Sequence, residues 1–413
     1  MSDRPASGPL TGVRILDFSQ YLAGPLAAAK LGDLGANVIK VERIDGEGGR
    51  NAAAAGCRIG GESPTFMALN RSKRGIAINL KNTEGIAIAR QLAQQSDVVI
   101  ENFRPGVMLR LGLDYETLRA QNPRLIYCSA SGYGPAGPLA ERPGQDLLAQ
   151  ALSGLAWNTG RAEDPPMPAG TQVADGTLAN LISFGVVVAL FERERTGVGQ
   201  RVEASLLSAL LDLQTHELAT YLNCGVPARR SDSGIGHVYL AAPYGIYQTS
   251  DSYLAIAQTP LPRLGELLGT DALVAYPAVE EAYRSREAIA AVLKPIFAAR
   301  TTQAWLDLLL PAGIWVGPVF DYDDLMSSGQ VEANEMIASF DHPSAGTVSV
   351  AGPPVRFDGV AITRLGSAPL LGEHTSEILA ELGCSPDEIS RLDRDGVIGS
   401  GAARGPRTSL SAG

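Results

Sequence analysis

The sequence predicts an α/β protein whose larger domain is built on a parallel sheet covered by helices. Short, mostly apolar runs typical of buried strands alternate with helix-like segments through the first third of the chain. The strand-like runs cover residues 13–18, 37–43, 74–80, 98–103 and 125–131, and helical patterns cover residues 25–34 and 83–95. This alternation is typical of strand–helix–strand units, in which neighbouring strands run parallel.

Polar residues stand where several of these predicted strands end. They are Asp17, Ser19, Gln20, Glu42, Arg43, Asn102 and Arg104. Because ligands of open parallel sheets bind beyond the carboxyl ends of the strands, this edge is where we expect a ligand site.

The middle of the chain predicts a second domain. Residues 206–221 have the pattern of one long helix, and a polar loop follows it. Roughly residues 226–331 then contain strand-like runs (APYGIYQT, YLAIAQ) and helical patterns at 284–298 and 302–310. Beyond them, HPSAGTVSVAGPPVRF predicts further strands and turns, and residues 370–383 predict an amphipathic helix.

Composition disfavours nucleic acid, metal ions and membranes as partners. With 34 Lys and Arg against 44 Asp and Glu, the net charge of −10 disfavours nucleic acid, which needs clustered basic residues. The four cysteines show no CxxC spacing, which favours free thiols over a metal or disulfide. The start of the chain lacks a signal pattern, and the apolar run at 184–191 is too short to cross a membrane. We therefore expect a cytoplasmic protein with no membrane partner.

A dinucleotide-binding enzyme is the first alternative that the strand pattern raises. Its first strand would run into GxGxxG, which lets the backbone approach a pyrophosphate. Here DFSQYLAGPLAAAKLGDLG follows instead, and GVGQ at 197–200 is typical of a turn before the strand RVEASL. A nicotinamide cofactor is disfavoured.

Asp175 is an isolated charge at the entrance of an apolar helix. It is the only charged residue between Asp164 and Glu192. Aspartate is a favoured helix N-cap, and an ionised aspartate is also a nucleophile for acyl transfer. A helix N-terminus favours the ionised form, so the two interpretations are compatible. The residues alone leave both open.

Segments spread over nearly the whole chain resemble the family III CoA-transferases in their order and spacing. The segments are LDFSQYLAGP with IKVER (16–43), NRSKRGIAINLK (70–81), IENFRPGVMLRLGLDYETL (100–118), GQDLLAQALSGL through VADGTLAN and FERERTGVGQRVEASLL (144–207), and APLLGEHTSEILAELG (368–383). The resemblance implies that CoA moves from an acyl-CoA donor to a carboxylic acid without a permanently bound cofactor. Asp175, in VAD, matches the aspartate that carries first the acyl group and then CoA.

The resemblance also implies a set of CoA contacts. These are Gln20, Leu22, Ala23, Arg43, Asn102, Phe103 and Arg110, with Lys73 and Arg74 as further candidates. Arginine and lysine pair with phosphate, and an aromatic ring packs against the adenine or the pantetheine arm. The competing interpretation is a solvated surface charge for each arginine and a core position for Phe103.

Gln145 separates two activities within the family. A racemase branch has a histidine at this position, in GHD, and pairs it with the residue equivalent to Asp175 as acid and base. The sequence here is GQD, and glutamine cannot transfer a proton near neutral pH. The neighbouring Asp146 matches either an acidic residue beside the reacting carboxylate or a helix cap. The racemase stays as the alternative enzyme, and a CoA-binding protein without catalysis as a third class.

The predicted small domain contributes further auxiliary candidates. SGIGHVYLAAPYG retains only Gly234 and Gly236 where formyl-CoA transferase has a run of glycines that closes over the intermediate. His237 and Tyr244 match a variant that contacts the acceptor, or they pack at a domain boundary. The other histidines show no metal-ligand spacing, and no metal site is predicted.

The architecture expected from the family is a Rossmann-like large domain, a smaller α+β domain and a homodimer of interlocked rings. We divide the chain into the N-terminal part of the large domain (1–205), a linker helix and loop (206–233), the small domain (234–331), a return to the large domain (332–398) and a flexible tail (399–413). The identity of the acids stays open.

Overall fold

The computed structural model describes residues 8–234 and 236–401, so most of the predicted tail, 402–413, lies outside the described residues. The chain divides into two compact units. The first comprises residues 8–149, 173–209 and 331–401 of the described chain, and the second comprises 150–172 and 210–330.

A seven-stranded sheet forms the centre of the first unit. Its strands are β1 (Arg14–Asp17), β2 (Asn37–Glu42), β3 (Lys73–Ile78), β4 (Val98–Glu101), β5 (Ile126–Ser131), β6 (Arg201–Ser205) and β12 (Ile398–Gly399). The order is β12-β3-β2-β1-β4-β5-β6, and all neighbours run parallel except β12, which pairs antiparallel with β3. The predicted parallel sheet is confirmed.

Helices pack around this sheet. They are α1 (Ala23–Asp33), α2 (Pro64–Asn70), α3 (Thr83–Gln94), α4 (Val107–Leu111), α5 (Tyr115–Arg119), α8 (Val173–Thr196), α17 (Thr375–Glu381) and α18 (Pro386–Arg394). Two further helices, α6 (Asp146–Leu152) and α9 (Leu206–Leu213), begin in this unit and run into the second. A hairpin of β10 (Ile337–His342) and β11 (Gly346–Ala351) belongs to the same unit and confirms the strands predicted after residue 331. Buried aliphatic side chains of the strands and of α3, α17 and α18 form one core cluster.

Helix α8 corrects one expectation from the sequence. It is 24 residues long and, by length and composition alone, apolar enough to cross a membrane, because small and neutral residues extend the apolar run on its N-terminal side. The helix packs along α1, where the Ser183 hydroxyl donates to the Ala27 carbonyl at 3.4 Å. Core helices of soluble proteins meet the same criteria, so this helix is weak evidence for a membrane span.

The second unit combines a small antiparallel sheet with helices. The sheet contains β7 (Gly245–Gln248), β8 (Tyr253–Ile256) and β9 (Val316–Pro318). The helices are α7 (Leu155–Asn158), α10 (Thr215–Cys224), α11 (Leu261–Leu268), α12 (Val279–Arg284), α13 (Arg286–Ala298), α14 (Thr302–Leu309), α15 (Tyr322–Ser327) and α16 (Gln330–Ala333), the last of which runs into the first unit. In its core the Phe297 ring packs against Tyr247 at a tilt and against Trp305 edge to face, with ring centroids 5.0 and 5.3 Å apart.

The long helix predicted at 206–221 is instead two helices, α9 and α10. The break falls at Gln214, whose ψ of 25° is not helical. Its side-chain amide donates to the Leu210 carbonyl at 2.9 Å and to the Ser153 carbonyl at 3.2 Å. These side-chain bonds hold Gln214 in its non-helical conformation. The apolar periodicity of the sequence does not reveal such bonds.

Candidate active site

Asp175 lies in the first turn of α8, half-buried, and Asp146 caps the helix. The Asp146 carboxylate accepts the backbone N–H groups of Ala174 at 2.8 Å and Asp175 at 3.0 Å. One of the open interpretations made Asp175 itself the cap. With Asp146 bonding these donors, the Asp175 carboxylate is available for other contacts.

The Asp175 carboxylate accepts a hydrogen bond from the backbone N–H of Ala23, the first residue of α1. Burial, and then the nearby negative charge of Asp146, raise the pKa of Asp175 from 3.8 to about 6, and the Ala23 bond opposes the rise. Asp175 is therefore mostly ionised at neutral pH, but it is a more basic carboxylate than an exposed aspartate. Basicity of this kind favours nucleophilic attack.

Ala23 follows a tight loop that leaves the carboxyl end of β1. Tyr21 in this loop has a φ of 65°, in the left-handed region. A Cβ added at Gly24 would lie 2.3 Å from the Ser19 Cβ, so the loop folds back closely onto the start of α1. Glycine at position 24 allows that approach.

Gln20 and Asn102 are brought together by their adjacent strands. The Asn102 side-chain amide accepts from the Gln20 backbone N–H and donates to the Gln20 carbonyl, both at 2.8 Å. Because β1 and β4 are neighbours in the sheet, the loops after them meet here. The amide of Asn102 is thus used to hold the Gln20 backbone.

A cavity of about 940 Å³ opens beyond the carboxyl ends of β1 to β4. Gln20, Arg43 and Phe103 of the predicted CoA set line it. Phe103 also packs against the core cluster, so both interpretations of that ring hold geometrically. The site expected at this edge of the sheet has a cavity of the size that small ligands and cofactors occupy.

Arg43 is an exposed cation in the wall of this cavity. Its side chain is 65% exposed, forms an ion pair with Asp45 at 3.2 Å and donates to the Gly46 carbonyl. Arg110 is exposed on α4, the short helix that also contributes Val107 to the cavity wall. Leu22 and Ala23 lie at the start of α1, next to Asp175 and not in the cavity wall.

Lys73 and Arg74 lie apart from the other predicted CoA contacts. They begin β3, and both line a second cavity, of about 970 Å³, at the amino ends of β1 to β3. Lys73 is buried with its ammonium group 2.8 Å from Asp17. Arg74 donates to Glu377 at 2.7 Å and to Glu381 at 2.6 Å. The structure does not group these side chains with Arg43.

Gln145 is exposed at the start of α6, beside Asp146. The chain reaches this position through a close backbone crossing, in which a Cβ on Gly144 would lie 2.3 Å from the Gly132 Cα. Glycines at both positions let the loops touch and bring Asp146 to the start of α8. The side chain that acts on Asp175 from this loop is therefore the Asp146 carboxylate, and residue 145 is a glutamine, not a histidine.

The sequence matches the model of CoA-transferase family III over residues 10–375. This chain belongs to CoA-transferase family III. It is 36% identical to the succinyl-CoA:glutarate CoA-transferase of Mus musculus, over 96% of this chain and 92% of the mouse protein. It is 34% identical to the acetyl-CoA:oxalate CoA-transferase of Acetobacter aceti, over 85% and 90% of the two chains.

The fold agrees with the family. The crystal structure of a CAIB/BAIF family protein from Brucella suis superposes with a TM-score of 0.77 and 32% identity, covering 91% of this chain and all of that one. Similarity to named CoA-transferases over most of the chain shows that the protein is a CoA-transferase, and thioesters of CoA are its substrates.

The remaining candidates of this family III transferase lie in the second unit. Gly234 has a φ of 75°, and Gly236 lies against the ring of Tyr244. The backbone N–H of Tyr239 donates to His237 Nδ1 at 3.1 Å, so Nε2 carries the proton and donates to Glu217 at 2.6 Å. Both ring nitrogens of His237 are therefore bonded within the unit.

His237 also belongs to a group that the sequence did not suggest. With His216 and Glu217 it places potential metal-ligand atoms within 4.8 Å of one another. The hydrogen bonds of Glu217 to both imidazoles, at 2.6 and 3.3 Å, account for this proximity. The roles of Gly234, Gly236, His237 and Tyr244 stay predictions.

Two features of this transferase were missed by sequence reasoning. Lys81 follows β3 and lines the carboxyl-end cavity with Arg43, and the strand-end rule that selected Arg43 could have found it. The Ala23 N–H bond to Asp175 had no signal, since every residue except proline carries the same backbone donor.

Proposed function

We propose that this enzyme transfers CoA by covalent catalysis at Asp175. A carboxylate oxygen of Asp175 attacks the acyl carbon of the donor thioester, the carbon–sulfur bond breaks, and CoA leaves as a thiolate. The thiolate then attacks the Asp175 carbonyl carbon of the resulting anhydride. The donor acid departs, and an aspartyl-CoA thioester remains.

The second half repeats these steps in reverse with the acceptor. Its carboxylate attacks the aspartyl thioester, forms a new anhydride and releases the thiolate. The thiolate attacks the acceptor's acyl carbon, which frees Asp175 as a carboxylate. The energy of the thioester is kept throughout, so ATP is not required, but water must be excluded from the anhydride.

The observation that carries the proposal is the environment of Asp175. Asp175 is half-buried at the start of α8, and Asp146 caps that helix. The backbone N–H of Ala23 bonds the Asp175 carboxylate. A half-buried aspartate whose pKa is about 6 is ionised at neutral pH and basic enough to attack a thioester.

We place CoA along the carboxyl-end cavity. Arg43, Arg110 and Lys81 supply cations for its phosphates, and Phe103 supplies an aromatic face. Arg43 would exchange its Asp45 partner for a phosphate. That exchange costs little, because exposed ion pairs contribute only ~0–1 kcal/mol.

For the acceptor we propose a small dicarboxylic acid. The relatives are named for succinyl-CoA with glutarate and for oxalate, which are dicarboxylic acids. A panel of succinyl-CoA and acetyl-CoA donors against glutarate, succinate, oxalate and monocarboxylic acids of matched length tests this class. Preference for the monocarboxylic acids would contradict it.

We further propose that the enzyme is a cytoplasmic homodimer. Phe184, Val187, Val188 and Phe191 of α8 are exposed and spaced along one helical face, which a second copy would cover. The cysteines Cys57, Cys128, Cys224 and Cys384 are free, as expected in a reducing compartment. Analytical ultracentrifugation of the parent protein and of the variant Phe184→Lys/Phe191→Lys tests the dimer. We expect the parent to sediment as a dimer and the variant as a monomer. A monomeric parent would refute the homodimer.

Trapping the covalent intermediate tests the mechanism. Enzyme quenched during turnover with hydroxylamine should carry a hydroxamate on Asp175, detected by peptide mass spectrometry, and Asp175→Asn should carry none. Absence of this mark from active enzyme would refute the proposal. Turnover of a 2-methylacyl-CoA in heavy water provides the comparison with racemase activity, and we expect no deuterium at the α-carbon, because Gln145 cannot exchange the proton.

A further inference from the structure

Four side chains hold the backbone of the loop that precedes Ala23, from Ser19 to Tyr21. Asp17 accepts the Ser19 N–H at 2.9 Å, and Asn102 bonds both backbone groups of Gln20. Lys40 donates to the Ser19 carbonyl at 2.9 Å, and Glu47 accepts the Tyr21 N–H at 2.9 Å. Five of the six backbone polar groups of this stretch therefore have a side-chain partner.

Tyr21 explains why such support is needed. Its φ of 65° is a conformation that a residue with a large side chain adopts only where its surroundings hold it. The Tyr21 side chain is exposed and cannot supply that support from a packed core. The conformation therefore depends on the backbone hydrogen bonds, and Glu47 makes the one at Tyr21 itself.

Lys40 and Glu47 act on the loop as a pair. Lys40 lies in the middle of β2 with its side chain 0% exposed, and its ammonium group is 3.0 Å from Glu47 Oε1. The other oxygen of Glu47 binds Tyr21, and the same ammonium group binds Ser19. One buried ion pair thus holds both ends of the turn that leads to Ala23.

We propose that the buried Lys40–Glu47 pair is a positioning element for the nucleophile, which aims the Ala23 N–H at the Asp175 carboxylate by fixing the Ser19–Tyr21 backbone. The inference rests on the proposed role of Asp175. Lys40 and Glu47 are positioning residues, since neither touches Asp175. Glu47 also lines the carboxyl-end cavity, so the same pair joins the proposed CoA site to the loop.

The charges around the pair are consistent with this arrangement. Burial opposes the charged form of Lys40, but Asp17, Glu47 and Glu42 outweigh it and raise the pKa of the lysine. Lys73 binds Asp17 beneath the same loop. On the other side, Asp146 of α6 is the charged side chain that acts on Asp175.

A charge-neutral double variant, Lys40→Met/Glu47→Gln, tests the proposal without leaving one buried charge unpaired. The matched control is Arg71→Met/Asp33→Asn, which removes a buried pair of the same unit at 2.7 Å with no contact to the loop. Circular dichroism and thermal unfolding establish that each full-length variant is folded. If the double variant does not fold, the single variant Glu47→Gln is the second test, because Asp17 and Glu42 still lie near the Lys40 ammonium group.

The readout is the titration of Asp175 in free enzyme, followed by NMR of ¹³C-labelled aspartate carboxyls and assigned with Asp175→Asn. Loss of the Ala23 bond removes a contact that favours the ionised form, so the titration midpoint should rise by about one pH unit. Exchange at pH 6 should then fall several-fold and recover by pH 8. The control should lose thermal stability and keep the midpoint.

An unchanged Asp175 midpoint in folded Lys40→Met/Glu47→Gln would overturn the positioning role. An equal rise in the control would also overturn it, because the effect would then follow any lost buried pair. The titration requires no turnover, so this outcome is independent of hydroxylamine trapping. Failure to trap Asp175 refutes the nucleophile, whereas an unmoved midpoint refutes the positioning pair.

Discussion

Cavities of nearly equal size lie at the carboxyl ends and at the amino ends of the strands of the central sheet, here called the carboxyl edge and the amino edge. The cavity at the carboxyl ends measures about 940 Å³ and the one at the amino ends about 970 Å³. Each contains an arginine that the sequence suggested for CoA. At the carboxyl edge Arg43 is 65% exposed, and at the amino edge the Arg74 side chain is 8% exposed between two glutamates.

Neither the residue type nor the cavity volume therefore identifies the ligand site. Two features distinguish the carboxyl edge. Its Arg43 has only the exposed Asp45 as an ion-pair partner, and the loop after β1 leads to Ala23, whose N–H bonds Asp175. At the amino edge, Lys73 and Arg74, the two cations that the sequence suggested, are already bonded to carboxylates. We therefore assign the chemistry to the carboxyl edge.

The largest effect is expected for Asp175→Asn. An amide cannot form the anhydride, so exchange should fall by at least ~10³-fold, the scale of losing a covalent nucleophile. Steady-state exchange with succinyl-CoA measures the loss, and acyl-CoA binding by calorimetry should persist. Substantial residual exchange in the variant would show that Asp175, and with it the carboxyl edge, is not the catalytic site.

The same variant should be more stable than the parent at neutral pH. The pKa of Asp175 is raised in the folded state, so folding disfavours the charged form, and the destabilisation grows as pH rises from 3.8 to about 6. Above pH 6 it is fully present, and Asn removes it. Thermal unfolding at pH 7 should show a gain of roughly 1–3 kcal/mol that vanishes below pH 4.

The second effect is the pH dependence of exchange. Because burial and Asp146 raise the pKa of Asp175 to about 6, the ionised nucleophile is lost below that pH. The kcat/KM profile should fall about tenfold for each pH unit below 6. Asp146→Asn removes the neighbouring charge and should move the acidic limb to lower pH. A limb near pH 4 in the parent enzyme would contradict the buried environment of Asp175.

Arg43→Met should have a smaller, selective effect at the carboxyl edge. Loss of a charge-assisted contact to a CoA phosphate should raise KM for acyl-CoA about tenfold, or ~1.4 kcal/mol. The side chain is exposed, so the unfolding temperature should stay the same. Lys81→Met is the companion variant in the same cavity. Unchanged KM values in both would place CoA elsewhere.

Much of the fold could be predicted from the sequence, because buried parallel strands are read from continuous apolar runs. The runs at 37–43 and 98–103 became β2 and β4 within one or two residues. The short edge strand Ile398–Gly399 was not predicted, since two residues carry no periodicity. The break at Gln214 was missed because apolar spacing continues through it.

The site was predicted less completely, for a physical reason. Asp175 stands out by charge isolation, and strand ends select Gln20, Arg43 and Asn102. Exposure and pairing, however, depend on tertiary contacts: Arg74 meets Glu377 and Glu381 from a helix some 300 residues away in sequence. A sequence shows which residues carry charge, but the fold decides which charges are already neutralised.

Arg74→Met, matched to Arg43→Met, is expected to have the smallest effect on exchange. Its guanidinium bonds Glu377 and Glu381, which are about half exposed (50% and 49%) and can rehydrate when it is removed. We therefore expect a loss of about 1–3 kcal/mol in stability, at or below the ~3–5 kcal/mol of breaking a fully buried pair. KM for acyl-CoA should match the parent enzyme. A tenfold rise in KM with unchanged stability would instead place a CoA contact at the amino edge, and the distinction between the two edges would fail.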